Sequence, residues 1–171
     1  WNDKQGVSPA LVAGHSLGEW SALVCAGVVS FGDAVGLVRN RGAYMQDAVP
    51  KGQGAMAAIM GLEDDVIKDL CASASGEEVV SAVNFNAPGQ VVIAGHAGAV
   101  DRAIDQCKAA GAKRALPLPV SAPFHTSLMQ PAADRLSEEI MATQFNDPQT
   151  LVVHNVNAAT ERDAEKIKAD D

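Results

Sequence analysis

The apolar and polar positions divide the chain into short units. Ala10-Leu11-Val12-Ala13 is an apolar run of strand length and reads as a buried strand. Gly14-His15-Ser16-Leu17-Gly18-Glu19 follows it, and then Trp20 to Ala26, which reads as a buried helix stopped at Gly27. Ala34, Leu37, Val38, Met45 and Ala48 recur at helical spacing and predict a second helix from about Asp33 to Ala48. Residues 54–118 then show a self-contained pattern. Strands are expected at 55–60, 79–85, 90–94 and 113–118, and helices at 63–73 and 97–110. That β-α-β-β-α-β order is the ferredoxin-like arrangement, expected here as a small lobe inserted into a larger α/β domain. Pro117, Pro119 and Pro123 hold the next stretch extended. A helix follows from near Ser127–Gln130 to Thr143, with Pro131 in its first turn, and Leu151–His154 is a strand. The polar tail from Ala158 reads as an exposed or frayed helix. The expected division is a large α/β domain at 1–53 and 119–171, interrupted by a lobe at 54–118.

Composition narrows the class. With 171 residues, 47% apolar and 20% charged, the chain can bury a real core and reads as globular. No apolar run reaches membrane-spanning length and no signal-peptide pattern opens the chain, so a cytoplasmic protein without membrane contact is expected. A formal net charge of −8 argues against nucleic acid as a partner. Cys25, Cys71 and Cys107 are odd in number and lack metal-site spacing, and they read as buried free thiols. The chain opens on Trp1, almost directly at the first strand, and is expected to be a piece of a longer one.

The chemistry gathers at the first turn. Strand, Gly-x-Ser-x-Gly turn and helix form a nucleophile elbow, with Ser16 projecting its hydroxyl and Gly14 and Gly18 avoiding Cβ clashes. The helix N-terminus directs N–H groups and positive dipole at an oxyanion formed there. The competing reading is a helix-capping serine. Arg41 falls on the apolar stripe of the second helix. It either makes an internal salt bridge or snorkels, or it meets the carboxylate of a ligand. His125 lies in a proline-braced loop before a helix, a usual place for a catalytic group. His96 reads as a capping or surface histidine, and His15 as packing the turn.

Four stretches together resemble the malonyl-CoA:acyl carrier protein transacylases, an acyltransferase family, and more loosely the acyltransferase domains of polyketide synthases. They are Gly14–Glu19, Arg41-Gly42 with Met45-Gln46, Val83–Gly95, and Pro119–His125. Trp20 departs from the tyrosine usual there. The resemblance implies a hydrolase-like large domain with the ferredoxin-like lobe inserted. It implies Ser16 as nucleophile, His125 as its base, the Leu17 amide as an oxyanion donor, and Arg41 as the site of the malonyl carboxylate. It implies malonyl-CoA and acyl carrier protein as partners and no cofactor. In the polyketide relatives, phenylalanine at the position of Phe124 accompanies malonyl choice; ordinary packing is the other reading of Phe124. The resemblance also implies an N-terminal strand and loop carrying a glutamine, and a C-terminal section, which these residues do not include.

Two rival readings stay open. A serine esterase or thioesterase would need an acidic triad member between Ser16 and His125, where Asp101 and Asp105 are available by order. An inactive piece would fold and bind without acylation. An acidic carrier protein would meet this acidic chain only at a local basic patch, for which Lys113, Arg114, Arg102 and Lys108 are candidates.

Overall fold

The structure is a computed structural model and describes Gly6 and residues 8–170. Among these residues the fold is mixed α/β, with two sheets and six α-helices. The chain divides into two compact units, one running to Gly42 and resuming at Arg135, the other covering Ala43–Asp134.

In the first unit, β1 (Leu11–Ala13) leads through the glycine-rich turn into α1 (Leu17–Cys25). Gly27, at φ 79°, ends α1 in a Schellman turn. Its N–H donates to Val24 O (3.1 Å), and that of Val28 to Leu23 O (2.9 Å). Ser30 then caps α2 (Phe31–Asp47), its Oγ accepting the Asp33 N–H at 3.1 Å. Later in the chain β6 (Leu151–Val153) pairs parallel with β1, Leu11 opposite Leu151 and Ala13 opposite Val153. β7 (Thr160–Glu161) completes the sheet in the order β1-β6-β7.

Two expectations are corrected here. β1 is not a buried strand: it lies at the sheet edge, and Leu11 is 53% exposed. Of the two readings of the tail the structure shows the helix, with Glu165, Lys166 and Ala169 exposed, but not one exposed throughout. Asp163 accepts the N–H groups of Glu165 and Lys166 and caps α6 (Ala164–Asp170), whose Ile167 is fully buried. A single apolar residue at the right phase anchors a helix that composition alone reads as solvent-exposed.

The second unit is built on a four-stranded sheet in the order β3-β4-β2-β5, every neighbouring pair antiparallel. Its elements are β2 (Gly54–Met60), α3 (Asp64–Ser75), β3 (Val80–Ala87), β4 (Gln90–His96), α4 (Ala97–Ala109) and β5 (Arg114–Pro117). Strand alternation sends Ala57, Ile59, Val91 and Ile93 to one face, where Ile67 and Cys71 of α3 and Val100 and Cys107 of α4 close the core. Met56, Val92 and Ala94 lie in a separate cluster, against Leu118 and Phe124. A 3-10 turn at Ser127–Met129 leads into α5 (Gln130–Ala142), with Pro131 in its first turn. No helix among the described residues is long and apolar enough to cross a membrane.

Candidate active site

Ser16 is the N-cap residue of α1 and stands at φ 52°, ψ −114°. A non-glycine residue there is in sparsely populated backbone, held only by its surroundings. Gly14 is what permits the turn, since a Cβ on it would run into the backbone of Gly18 and Glu19. Gly18 has a different status. A Cβ on Gly18 would meet nothing within 4 Å, so the expected clash is absent there; its backbone is what crowds Gly14. Ser16 makes no side-chain capping bond, so the capping reading of this serine does not describe it. Its Oγ instead accepts a hydrogen bond from Arg41 Nη2 at 3.0 Å.

Arg41 is half-buried on α2, and burial pushes its guanidinium below its ordinary pKa. Arginine remains a cation under such a shift. Leu17 is the first residue of α1, so its N–H has no acceptor within the helix, while its side chain is half exposed. Ser16, Leu17 and Arg41 all belong to the first unit.

His125 and Phe124 belong to the second. His125 is exposed, at φ 62°, a second non-glycine residue in left-handed backbone. Its loop is braced from both sides. Thr126, itself buried, donates from Oγ1 to Pro123 O at 2.7 Å, and the Phe124 N–H donates to Ala122 O at 3.0 Å. Pro123 is fully buried, and a Cβ on Gly54 would meet it and Ser121 O at 2.5 Å. The side chain of Phe124 is partly buried against Met56, Val92 and Ala94.

Sequence reasoning missed the polar group beside the elbow. Glu19 and His154 are buried, and His154 Nδ1 lies 2.9 Å from Glu19 Oε1. That oxygen also accepts the Asn155 N–H at 3.2 Å, and Asn155 Oδ1 accepts the Ser16 N–H at 2.5 Å. The signal that could have found Glu19 is its Ser-x-x-Glu spacing from Ser16; nothing in sequence marks His154 or Asn155.

Other positions are corrected too. His15 is exposed and lines a cleft with His154 and Asn155 rather than packing the turn. His96 accepts the Val79 N–H on Nδ1 at 3.0 Å and makes no capping bond to α4. Cys25 is exposed, while Cys71 and Cys107 are buried; burial, with Cys107 adding to it, pushes the Cys71 thiol up to about 12. Arg102 is committed locally, to Ala74 O, Ser75 O and the Glu78 carboxylate, whose charge offsets its own. Asp101 and Asp105 are exposed on α4. Among the described residues no group of three His, Cys, Asp or Glu side chains could hold a metal ion.

Ser16 thus stands at positive φ between a strand and a helix N-terminus, with its hydroxyl oxygen accepting a hydrogen bond from a guanidinium. The chain belongs to the acyl transferase domain family, whose model matches residues 1–170. In particular it is similar to the malonyl CoA-acyl carrier protein transacylase of Escherichia coli strain K12, 59% identical over 168 residues, which are 98% of this chain and 54% of that protein. Among solved structures, an acyl carrier protein S-malonyltransferase from Vibrio cholerae O1 matches with a TM-score of 0.95 and 58% identity, over 99% of this chain and 56% of that one. A malonyl-transacylase solved in complex with a type II PKS acyl-carrier protein matches with a TM-score of 0.96 and 55% identity, over 99% of this chain and 55% of that one. The chain spans about half the length of the curated relatives it matches.

Proposed function

We propose that this chain carries the nucleophile of an acyltransferase that moves a malonyl group from malonyl-CoA to the pantetheine thiol of acyl carrier protein, in fatty acid biosynthesis in the cytoplasm. The observation that carries this reading is the hydrogen bond between Arg41 and the Oγ of a left-handed Ser16. The family membership and the names of the relatives support it.

In the first half-reaction Ser16 Oγ attacks the thioester carbonyl. His125 takes the serine proton, the Oγ–C bond forms, the C–S bond breaks, and the proton passes to the departing CoA sulfur. In the second, the carrier thiol loses its proton to His125 and attacks the malonyl-serine ester. The C–O bond breaks and the proton returns to Ser16 Oγ. Imidazole suits both directions because it titrates near neutral pH. The Leu17 N–H, at the positive end of α1, stabilises the oxyanion in each half. This chemistry calls for no metal or organic cofactor.

Arg41 selects the substrate. A malonyl carboxylate pairs with its guanidinium through two parallel hydrogen bonds, whereas an acetyl group leaves a half-buried charge without that partner. The resemblance to the polyketide relatives gives Phe124, directly before His125, a part in the choice of malonyl. The finer fold reading belongs here as well. The order β3-β4-β2-β5 supports a ferredoxin-like lobe at 54–118, and the parallel β1–β6 pair with its elbow supports a hydrolase-like domain at 1–53 and 119–171.

Intact-protein mass after brief incubation with malonyl-CoA tests the reading, with acetyl-CoA and Ser16→Ala alongside. A malonyl adduct on the parent chain, little acetyl adduct and none on Ser16→Ala is the expected result. A malonyl adduct retained by Ser16→Ala would overturn it.

A further inference from the structure

The acyl-transfer steps use neither Glu19 nor His154, yet both are buried beside the elbow, 8% and 2% exposed. We propose that Glu19, His154 and Asn155 form a positioning relay that holds the Ser16 backbone and leaves the Ser16 hydroxyl uncommitted to helix capping. The kinetic part of this inference rests on the reading of Ser16 as nucleophile; the structural part does not.

Ser16-Leu17-Gly18-Glu19 has the spacing of a capping box. In such a box the serine side chain accepts the N–H of the third helical residue, and the glutamate reaches back to the serine N–H. Here the pattern differs. The Ser16 side chain makes no cap bond. The Ser16 N–H goes to Asn155 Oδ1 at 2.5 Å, and Glu19 Oε1 instead accepts the Asn155 N–H at 3.2 Å. The box is thus closed through a third residue. Serine capping and nucleophilic attack compete for one oxygen, and the relay satisfies the backbone donor without using that oxygen.

The other contacts hold the relay in place. β1 and β6 run parallel in direct register, so the residues after Ala13 and those after Val153 emerge side by side. The His154 backbone is fixed in a turn, its N–H donating to Ala159 O and its carbonyl accepting the Ala158 N–H, both at 2.9 Å. The His154 ring has one polar contact, Nδ1 to Glu19; Nε2 is buried with no partner among the described residues. A carboxylate only accepts, which assigns the ring hydrogen to Nδ1. Glu19 therefore receives two donors from consecutive residues, His154 and Asn155, and orients the second toward Ser16.

The test is amide hydrogen exchange at Ser16, read by NMR on the whole chain, together with the rate of malonyl adduct formation. Asn155 is exposed, so Asn155→Ala is expected to fold. It should speed Ser16 exchange about tenfold, as expected for one lost hydrogen bond, while amides elsewhere in β1 and α1 keep their protection. It should slow acylation by a similar factor at saturating malonyl-CoA without changing the concentration for half-maximal rate. Asn155→Asp keeps an acceptor oxygen and should restore Ser16 protection. Glu19→Gln keeps an oxygen for both donors and should stay within about threefold of the parent, whereas Glu19→Ala should behave as Asn155→Ala. Unchanged Ser16 exchange in Asn155→Ala, or a rise shared equally along β1 and α1, would overturn the relay. If the parent chain does not acylate, exchange still decides the relay, independently of the acyl-transfer reading.

Discussion

The two compact units are held by different physics. The unit covering 43–134 has an apolar interior in which Ala57, Ile59, Ile67, Val91, Ile93 and Cys107 are fully or almost fully buried. The unit with Ser16 has apolar anchors as well, Leu23, Val28, Val152 and Ile167, but it also buries Glu19 and His154. Its helices α1 and α2 leave an open apolar cleft of about 520 Å³, lined by Trp20, Val24 and Phe31 among others. Apolar burial stabilises without direction. Hydrogen bonds and steric exclusion fix direction, and a serine held at φ 52° needs direction more than it needs burial. Rigidity at the elbow therefore comes from one glycine and a few polar contacts, while the other unit relies on close packing.

That contrast can be broken from either side. The largest effect is expected from Ile93→Ala in the apolar core, at about 2–5 kcal/mol, read as a lower denaturant midpoint with Ser16 amide protection preserved until unfolding. Arg41→Ala comes next. It should slow malonyl acylation roughly a hundredfold while barely changing the slow acetyl rate, so selectivity collapses; equal losses for both substrates would assign Arg41 to structure alone. The glycines of the elbow should then separate. Gly14→Ala forces a Cβ into the α1 backbone and should cost about 1–3 kcal/mol with loss of the adduct. Gly18→Ala meets open space in the first turn of a helix and should be neutral or stabilising by up to about 1 kcal/mol. The mildest probe is thiol labelling at pH 8. Cys25 should react in the folded chain, while Cys71, buried and with its pKa pushed up to about 12, should react only in denaturant. Rapid labelling of Cys71 would show that the core of the second unit opens far more readily than its packing implies.

Much of this was legible along the chain, for local reasons. The strand–turn–helix around Ser16 lies within fifteen residues, and its glycines and apolar runs are short-range signals. The elements from 54 to 118 came within a few residues of their positions because strand and helix periods differ so clearly there. Arg41 stood out as a charge on an apolar stripe. The relay did not, because Ser16 and Asn155 are 139 positions apart and Glu19 and His154 are 135 apart. Their meeting depends on the parallel register of β1 and β6, which a three-residue strand scarcely encodes. The exposure of Cys25 and the open space around Gly18 were hidden for a related reason: sequence places a residue on an element without saying what faces it.

The order of elements and the strand–turn–helix around Ser16 follow from the chain alone, because each is written in local spacing and side-chain type. What needed the folded chain is that the Ser16 side chain makes no capping bond, that its hydroxyl meets Arg41, and that its backbone N–H meets Asn155, which Glu19 in turn holds. Those outcomes depend on which distant donors and acceptors the fold brings within reach, and hydrogen-bond geometry of that kind exists only once the strands have paired.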